Sequence, residues 1–258
     1  MHAPFRFLAA LLLFVTLALP AAAGGRPVPD RIAATGEVRV GLTGDYKPFS
    51  WEGPTGHFEG IDAEMAAVLA SGLGVRLRIV KTSWPTLMDD LAAERFDIGM
   101  GGISATRERR EAAFFSEPLL TDGKTPIARC ADAARFQTLA QIDREGVTLI
   151  VNPGGTNEKF ARANIHAATL LLHKDNASIF EEIAAGRADV MITDAIETRV
   201  MAREHPDLCA IHPDAPFTRA EKAYLLPPDE AWKRRVDAWL AAMEASGEKQ
   251  AIFEKWLE

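Results

Sequence analysis

Cysteine is nearly missing from this chain of 258 residues: it has two, Cys130 and Cys209. Two isolated thiols without clustered histidines do not make a zinc site. The six histidines, His2, His57, His166, His173, His205 and His212, never fall four apart as a helical metal pair does, so no metal is expected. Surplus positive charge is absent as well. With 29 Lys and Arg against 36 Asp and Glu, the formal net charge is −7, which argues against nucleic acid or an acidic membrane surface as partner. No G-x-x-x-x-G-K-[ST] string is present, so nucleotide phosphate is not indicated. Long apolar runs are lacking too. The one candidate, residues 8–19, falls short of the roughly 20 residues that span a bilayer, and no membrane insertion is expected.

That run is framed as an export leader. It follows the single basic residue Arg6 and ends at Pro20 and the small residues Ala21, Ala22 and Ala23, which supply an A-x-A cleavage signal. Residues 1–23 therefore read as a signal peptide, whose removal makes the chain one charge more negative. An exported protein meets an oxidising compartment, so a disulfide between Cys130 and Cys209 is expected.

The remainder has ordinary globular usage, 48% hydrophobic and 25% charged, enough for a sizeable core. Short β-rich runs at 38–42, 77–80, 97–101, 147–151, 169–172 and 190–193 alternate with helical patterns. Ile61, Met65, Val68, Leu69 and Leu73 mark one helix face, and Leu87 and Leu91 mark another. Such alternation predicts α/β architecture with parallel sheets. Short apolar strands near 124–130 and 223–226 bracket a complete β/α set. The simplest topology is two lobes joined by two crossing strands: residues 30–123 plus 221–258, which include returning C-terminal helices, and residues 124–220. A ligand crevice between the lobes follows, at strand ends and helix N-termini.

Four stretches carry candidate chemistry. Asn152-Pro-Gly-Gly-Thr-Asn157 joins a strand to a helix and could offer backbone N–H groups to a carboxylate; an ordinary turn is the weaker alternative. Gly101 to Arg109 has the same form, with Ser104, Thr106 and guanidinium groups suited to carboxylates. At most one of Arg107, Arg109 and Arg110 should point inward. Aromatics gather at Tyr46, Phe49, Trp51 and Trp84, as crevice wall or as core. Lys124 sits at the presumed hinge. Asp194 and Glu197, three apart at a strand end, could share one helical face near the cleft, although a helix-capping acid also accounts for Asp194.

Together these residues resemble the periplasmic solute-binding proteins for amino acids, with their two-lobed Venus-flytrap fold of type II. More closely, Thr-Gly-Asp-Tyr-Lys-Pro-Phe-Ser (43–50), Thr-Ser-Trp-Pro (82–85), Asp-Gly-Lys-Thr-Pro-Ile (122–127), Val-Asn-Pro-Gly-Gly-Thr-Asn-Glu-Lys-Phe-Ala-Arg-Ala-Asn (151–164) and Thr-Asp-Ala-Ile-Glu (193–197) are similar to the periplasmic cyclohexadienyl dehydratases. The resemblance implies loss of water and carbon dioxide from prephenate or L-arogenate, without a cofactor. It implies Glu197 as general acid, Arg109 and Lys124 as pocket cations, and Asn152 and Asn157 as polar amides. Gly155 and Ile179 would shape the pocket. The wider family implies that Gly102 and Ser104 help to hold a carboxylate with Thr156 assisting, that Phe49 lines the pocket beside Trp84, and that Asp194 takes an ammonium. A transport receptor is the alternative; the acid at 197 is what a pure binder does not need.

Overall fold

The computed structural model describes residues 26–257; the expected signal peptide, residues 1–23 with Arg6, lies outside them. Each expected strand forms within two or three residues of its predicted bounds; the central ones are short runs with an apolar buried face, whereas Thr169–Leu172, at a sheet edge, leaves Leu171 and Leu172 exposed. Glu37–Leu42 buries Val38, Val40 and Leu42 completely. It pairs in parallel with Arg76–Lys81 and Ile98–Gly99. The first sheet is completed by Leu225–Leu226 and Phe114–Phe115, both antiparallel to their neighbours. In the second sheet Thr148–Val151 lies parallel to Thr169–Leu172 and Val190–Asp194, while Lys124–Arg129 runs antiparallel between Val190–Asp194 and Leu208–Ala210.

The sheets are therefore mixed, where the alternating pattern predicts parallel ones. A parallel neighbour needs a crossover helix to bring the chain back round. Lys124–Arg129 and Leu225–Leu226 instead arrive straight from the opposite lobe, and they enter their sheets reversed. The crossing itself sits just before each of these strands. Leu120–Asp122 pairs antiparallel with Ala220–Lys222, and an isolated bridge joins Ser104 to Lys222. Gly123 is confined there: a Cβ on it would lie 1.8 Å from the Thr218 carbonyl oxygen. The crossing thus sets Lys222 and Lys124, one on each connecting segment, beside the crevice.

Helix Ile61–Leu73 covers the first sheet with Ile61, Met65 and Leu69, as its periodicity predicts. Helices Glu230–Ser246 and Glu248–Leu257 return to the same core through Trp232, Val236, Leu240, Met243 and Ile252. The second sheet has its own core on both faces. Cys130 and Cys209, at the ends of paired strands, form a disulfide with Cα atoms 4.8 Å apart. Among the described residues no helix is long and apolar enough to cross a membrane.

Candidate active site

A small cavity between the lobes is lined by Tyr46, Trp84, Gly102 and Ser104 from one side and by Asn152, Gly155, Thr156, Asn157, Asn176 and Asp194 from the other, with Lys222 at the crossing. Its chemistry centres on Asp194. Strand Val190–Asp194 ends there and helix Ala195–Glu204 begins, yet the Asp194 side chain makes no capping bond. Its carboxylate accepts instead from Lys124 Nζ at 2.8 Å, Lys222 Nζ at 2.5 Å and Tyr46 Oη at 2.6 Å. The capping account of Asp194 is overturned: two ammonium groups outcompete backbone N–H groups for it. Burial alone would raise its pKa, but the adjacent lysines win and hold it well below the usual carboxylate range. Burial pushes the Lys124 ammonium down, partly opposed by Asp194. The Tyr46 phenol is driven up by burial and by Asp194, so it keeps its proton and donates.

Lys124 continues outward into a polar relay. Its Nζ donates to Thr156 Oγ1 at 3.0 Å and to Asn157 Oδ1. Asn157 Nδ2 donates to Asn152 Oδ1 at 3.2 Å and to Thr193 Oγ1 at 3.0 Å, and Thr193 donates to Glu197 Oε2. Glu197 Oε1 accepts from Asn176 Nδ2 at 3.3 Å. Only 1% of Glu197 is exposed. Burial dominates its titration and Asp194 adds repulsion, against the Thr193 hydrogen bond and Lys124; the pKa rises from 4.5 to about 8. The group is a carboxylic acid at neutral pH, able to donate a proton.

Other expected site residues are placed differently. Glu197 is not among the lining residues but touches one of them, Asn176, with 3.3 Å between Oε1 and Nδ2. Arg109, the one buried arginine of its helix Arg107–Ala112, donates from Nη1 to the Ser104 carbonyl at 3.0 Å and likewise is not among the lining residues. Phe49 lies under Tyr46, with ring centroids 5.4 Å apart. Ile179 is fully buried in the second lobe's core, among Ile127, Ile150 and Met191; the apolar start of helix Ile179–Ala184 faces the sheet, not the cavity.

The two loops expected to hold a carboxylate have backbone N–H groups already taken from within. Asp62 accepts from Gly101 N at 2.7 Å and Gly102 N at 2.8 Å, and Glu158 accepts from Gly154 N at 2.6 Å. Gly102 and Gly155 form wall, while the cationic recognition falls to lysines. Lys222 and Asn176 are the site residues that sequence reasoning missed. A lysine flanked by Ala223, Tyr224, Leu225 and Leu226 in an otherwise buried run was the available signal for the first; Asn176, in a polar turn, carried none.

The chain is 58% identical to a cyclohexadienyl dehydratase of Pseudomonas aeruginosa over 229 residues, which cover 89% of this chain and 85% of that protein. An ancestral amino acid-binding protein described as a precursor of cyclohexadienyl dehydratase matches with TM-score 0.83 at 30% identity, over 89% of this chain and 99% of that one. An ancestral cyclohexadienyl dehydratase matches with TM-score 0.56 at 48% identity, over 90% and 97%. The family match runs over residues 38–258, through both sheets and all the cavity residues. By that match the chain belongs to the bacterial extracellular solute-binding proteins, family 3.

Proposed function

We propose that the protein is an exported, periplasmic cyclohexadienyl dehydratase, made with a signal peptide over residues 1–23, that converts prephenate to phenylpyruvate and, to the extent it accepts the amine, L-arogenate to L-phenylalanine. The observation that carries this reading is Glu197: a carboxyl kept protonated at neutral pH by burial, beside a cluster of ammonium groups, in a chain 58% identical to a protein of that activity.

Lys124 and Lys222, with Arg109 behind them, outnumber the one cavity carboxylate held ionised, Asp194, so the crevice attracts a dianion despite the acidic chain. The substrate's carboxylates compete with Asp194 for the lysines. Substrate entry seats the C4 hydroxyl against Asn176, whose carboxamide touches Glu197 at 3.3 Å; Glu197 reaches past it to give the hydroxyl its proton, and the hydroxyl leaves as water as the C4–O bond breaks. The electron pair of the C1–carboxylate bond moves into the ring, carbon dioxide departs and the ring becomes aromatic; Glu197 then regains a proton from solvent. Aromatisation supplies the drive. The protein contributes position and a proton, and a placed general acid typically gives about 10²–10⁴-fold.

Asp194 already accepts three hydrogen bonds, which leaves little for an incoming ammonium and favours the keto acid prephenate over L-arogenate. Turnover of both substrates on one preparation tests that preference. For the main reading, Glu197→Gln should still bind prephenate by calorimetry while phenylpyruvate release falls by two to four orders of magnitude, on the order of a lost general acid. Near-normal release would remove Glu197 from this role. An amino-acid receptor shares the fold, and it would bind its ligand without consuming prephenate.

A further inference from the structure

Asn176 is 1% exposed and opens the short turn Asn176–Ser178 in the second lobe, where it lines the cavity. Its Nδ2 donates across the crevice to the Asp45 carbonyl oxygen at 2.8 Å and, within its own lobe, to Glu197 Oε1 at 3.3 Å. The carboxamide cannot be turned over, because Oδ1 would then face the Asp45 carbonyl, acceptor against acceptor. Oδ1 is left as one of three buried side-chain polar atoms without a hydrogen-bond partner among the described residues. A buried acceptor costs free energy until a donor reaches it.

We infer that Asn176 is the residue that recognises the departing hydroxyl: Oδ1 accepts a hydrogen bond from the substrate's C4–OH and so places that oxygen beside Glu197. The chemistry on the page singles out this donor. Prephenate is otherwise a set of acceptors, two carboxylates and a ketone, which the lysines serve, and its hydroxyl is the one O–H at neutral pH. The same carboxamide contacts Glu197 through Nδ2, so an oxygen bonded to Oδ1 lies next to the acid that must protonate it. The hydroxyl's own hydrogen points to Asn176, and a lone pair is left facing Glu197. The bond from Nδ2 to Asp45 also ties this arrangement to lobe closure, since Asp45 belongs to the other lobe. Asn176 thus serves both as a hydroxyl-binding group and as a positioning residue for Glu197.

This inference rests on the dehydratase reading, and the test separates the two. Phenylpyruvate lacks the hydroxyl and the ring carboxylate, the latter a group the lysines serve, so it reports the effects of Asn176 on the six-membered ring and pyruvyl arm that both ligands share. In a Glu197→Gln background, which slows turnover by two to four orders of magnitude, calorimetry of Asn176→Ala and of the nearly isosteric Asn176→Leu should show prephenate binding weakened by roughly tenfold more than phenylpyruvate binding, as expected for one lost hydrogen bond to a buried partner. With Glu197 intact, both variants should lose kcat more than they raise KM. Equal weakening for the two ligands, or none for either, would overturn the inference while wild-type turnover of prephenate leaves the dehydratase reading standing. A wild-type chain that neither binds nor converts prephenate would overturn both.

Discussion

At the scale of single residues, the site works by placing titratable groups where water is excluded. Glu197 and Asp194 are three residues apart, and their environments drive them in opposite directions, one neutral and one ionised. With its pKa near 8, Glu197 is a free acid below that pH, so turnover should be level through neutrality and fall as the pH rises past about 8. A rate profile that stays flat to pH 9.5 would count against Glu197 as the proton donor. The same shift has a consequence for stability. The folded-state value lies above the ordinary 4.5, so the folded protein holds this proton more tightly than the unfolded chain, and the stabilisation present at low pH is lost as the pH rises towards about 8. Glu197→Gln removes that penalty. Relative to wild type, the variant should gain stability between pH 5 and pH 8 by on the order of a few kcal/mol, read from urea melts at each pH. The acid itself was legible in a short motif. Lys222 and Asn176 were not, because their partners are distant in sequence: Lys222 meets Tyr46, 176 residues away, and Ser104, 118 residues away, and Asn176 meets Asp45, 131 residues away.

At the scale of elements, the loops that form the crevice wall are held rigid from behind. The N-terminus of helix Ile61–Leu73 supplies Asp62, which gathers the N–H groups of Gly101 and Gly102 and accepts from Tyr224 Oη at 2.9 Å. Burial outweighs these bonds and raises the Asp62 pKa to about 6. Gly102 has φ +68°, and a Cβ there would lie 2.4 Å from the Phe49 ring and 2.5 Å from the Tyr46 ring. Gly102→Ala should therefore cost about 2–4 kcal/mol from backbone strain and crowding combined. It should also raise KM for prephenate, since Tyr46 forms cavity wall; a thermal melt and steady-state kinetics give both readings, and an unchanged Tm would overturn the packing account. The second lobe has a covalent tie. Its disulfide closes a separation of 79 residues, worth about 4 kcal/mol in the chain-entropy picture. Cys130→Ser with Cys209→Ser should lower Tm by on the order of 10 °C, measured by calorimetry. Element identity was read correctly from period and β-rich runs, whereas strand direction was not, because pairing direction depends on how the chain arrives and not on which residues form the strand.

At the scale of the whole molecule, Asp194 is the point where the lobes meet. It belongs to the second lobe, and it is gripped by Tyr46 from the first and by Lys222 from the crossing. Exposed interlobe pairs, Lys47 with Glu204 and Lys159 with Glu108, add little in water. Asp194→Asn would leave Lys124 and Lys222 buried without their counter-charge, at a cost of about 3–5 kcal/mol. The lobes should part to hydrate them, with a larger radius of gyration by small-angle scattering and a lower Tm; an unchanged radius and Tm would show that the closed form does not depend on this carboxylate. The sequence by itself determined the two-lobed α/β layout, the partners in the disulfide and the acid at position 197, since hydrophobic period, cysteine count and local motifs are properties of neighbouring residues. Tertiary structure alone decided that Asp194 is clamped between two lysines, that Ile179 and Phe49 are core, that Arg109 and Glu197 are not among the lining residues, and that Asn176 bridges the crevice. Those outcomes depend on distance and burial in space, and burial is what keeps this glutamate protonated at neutral pH.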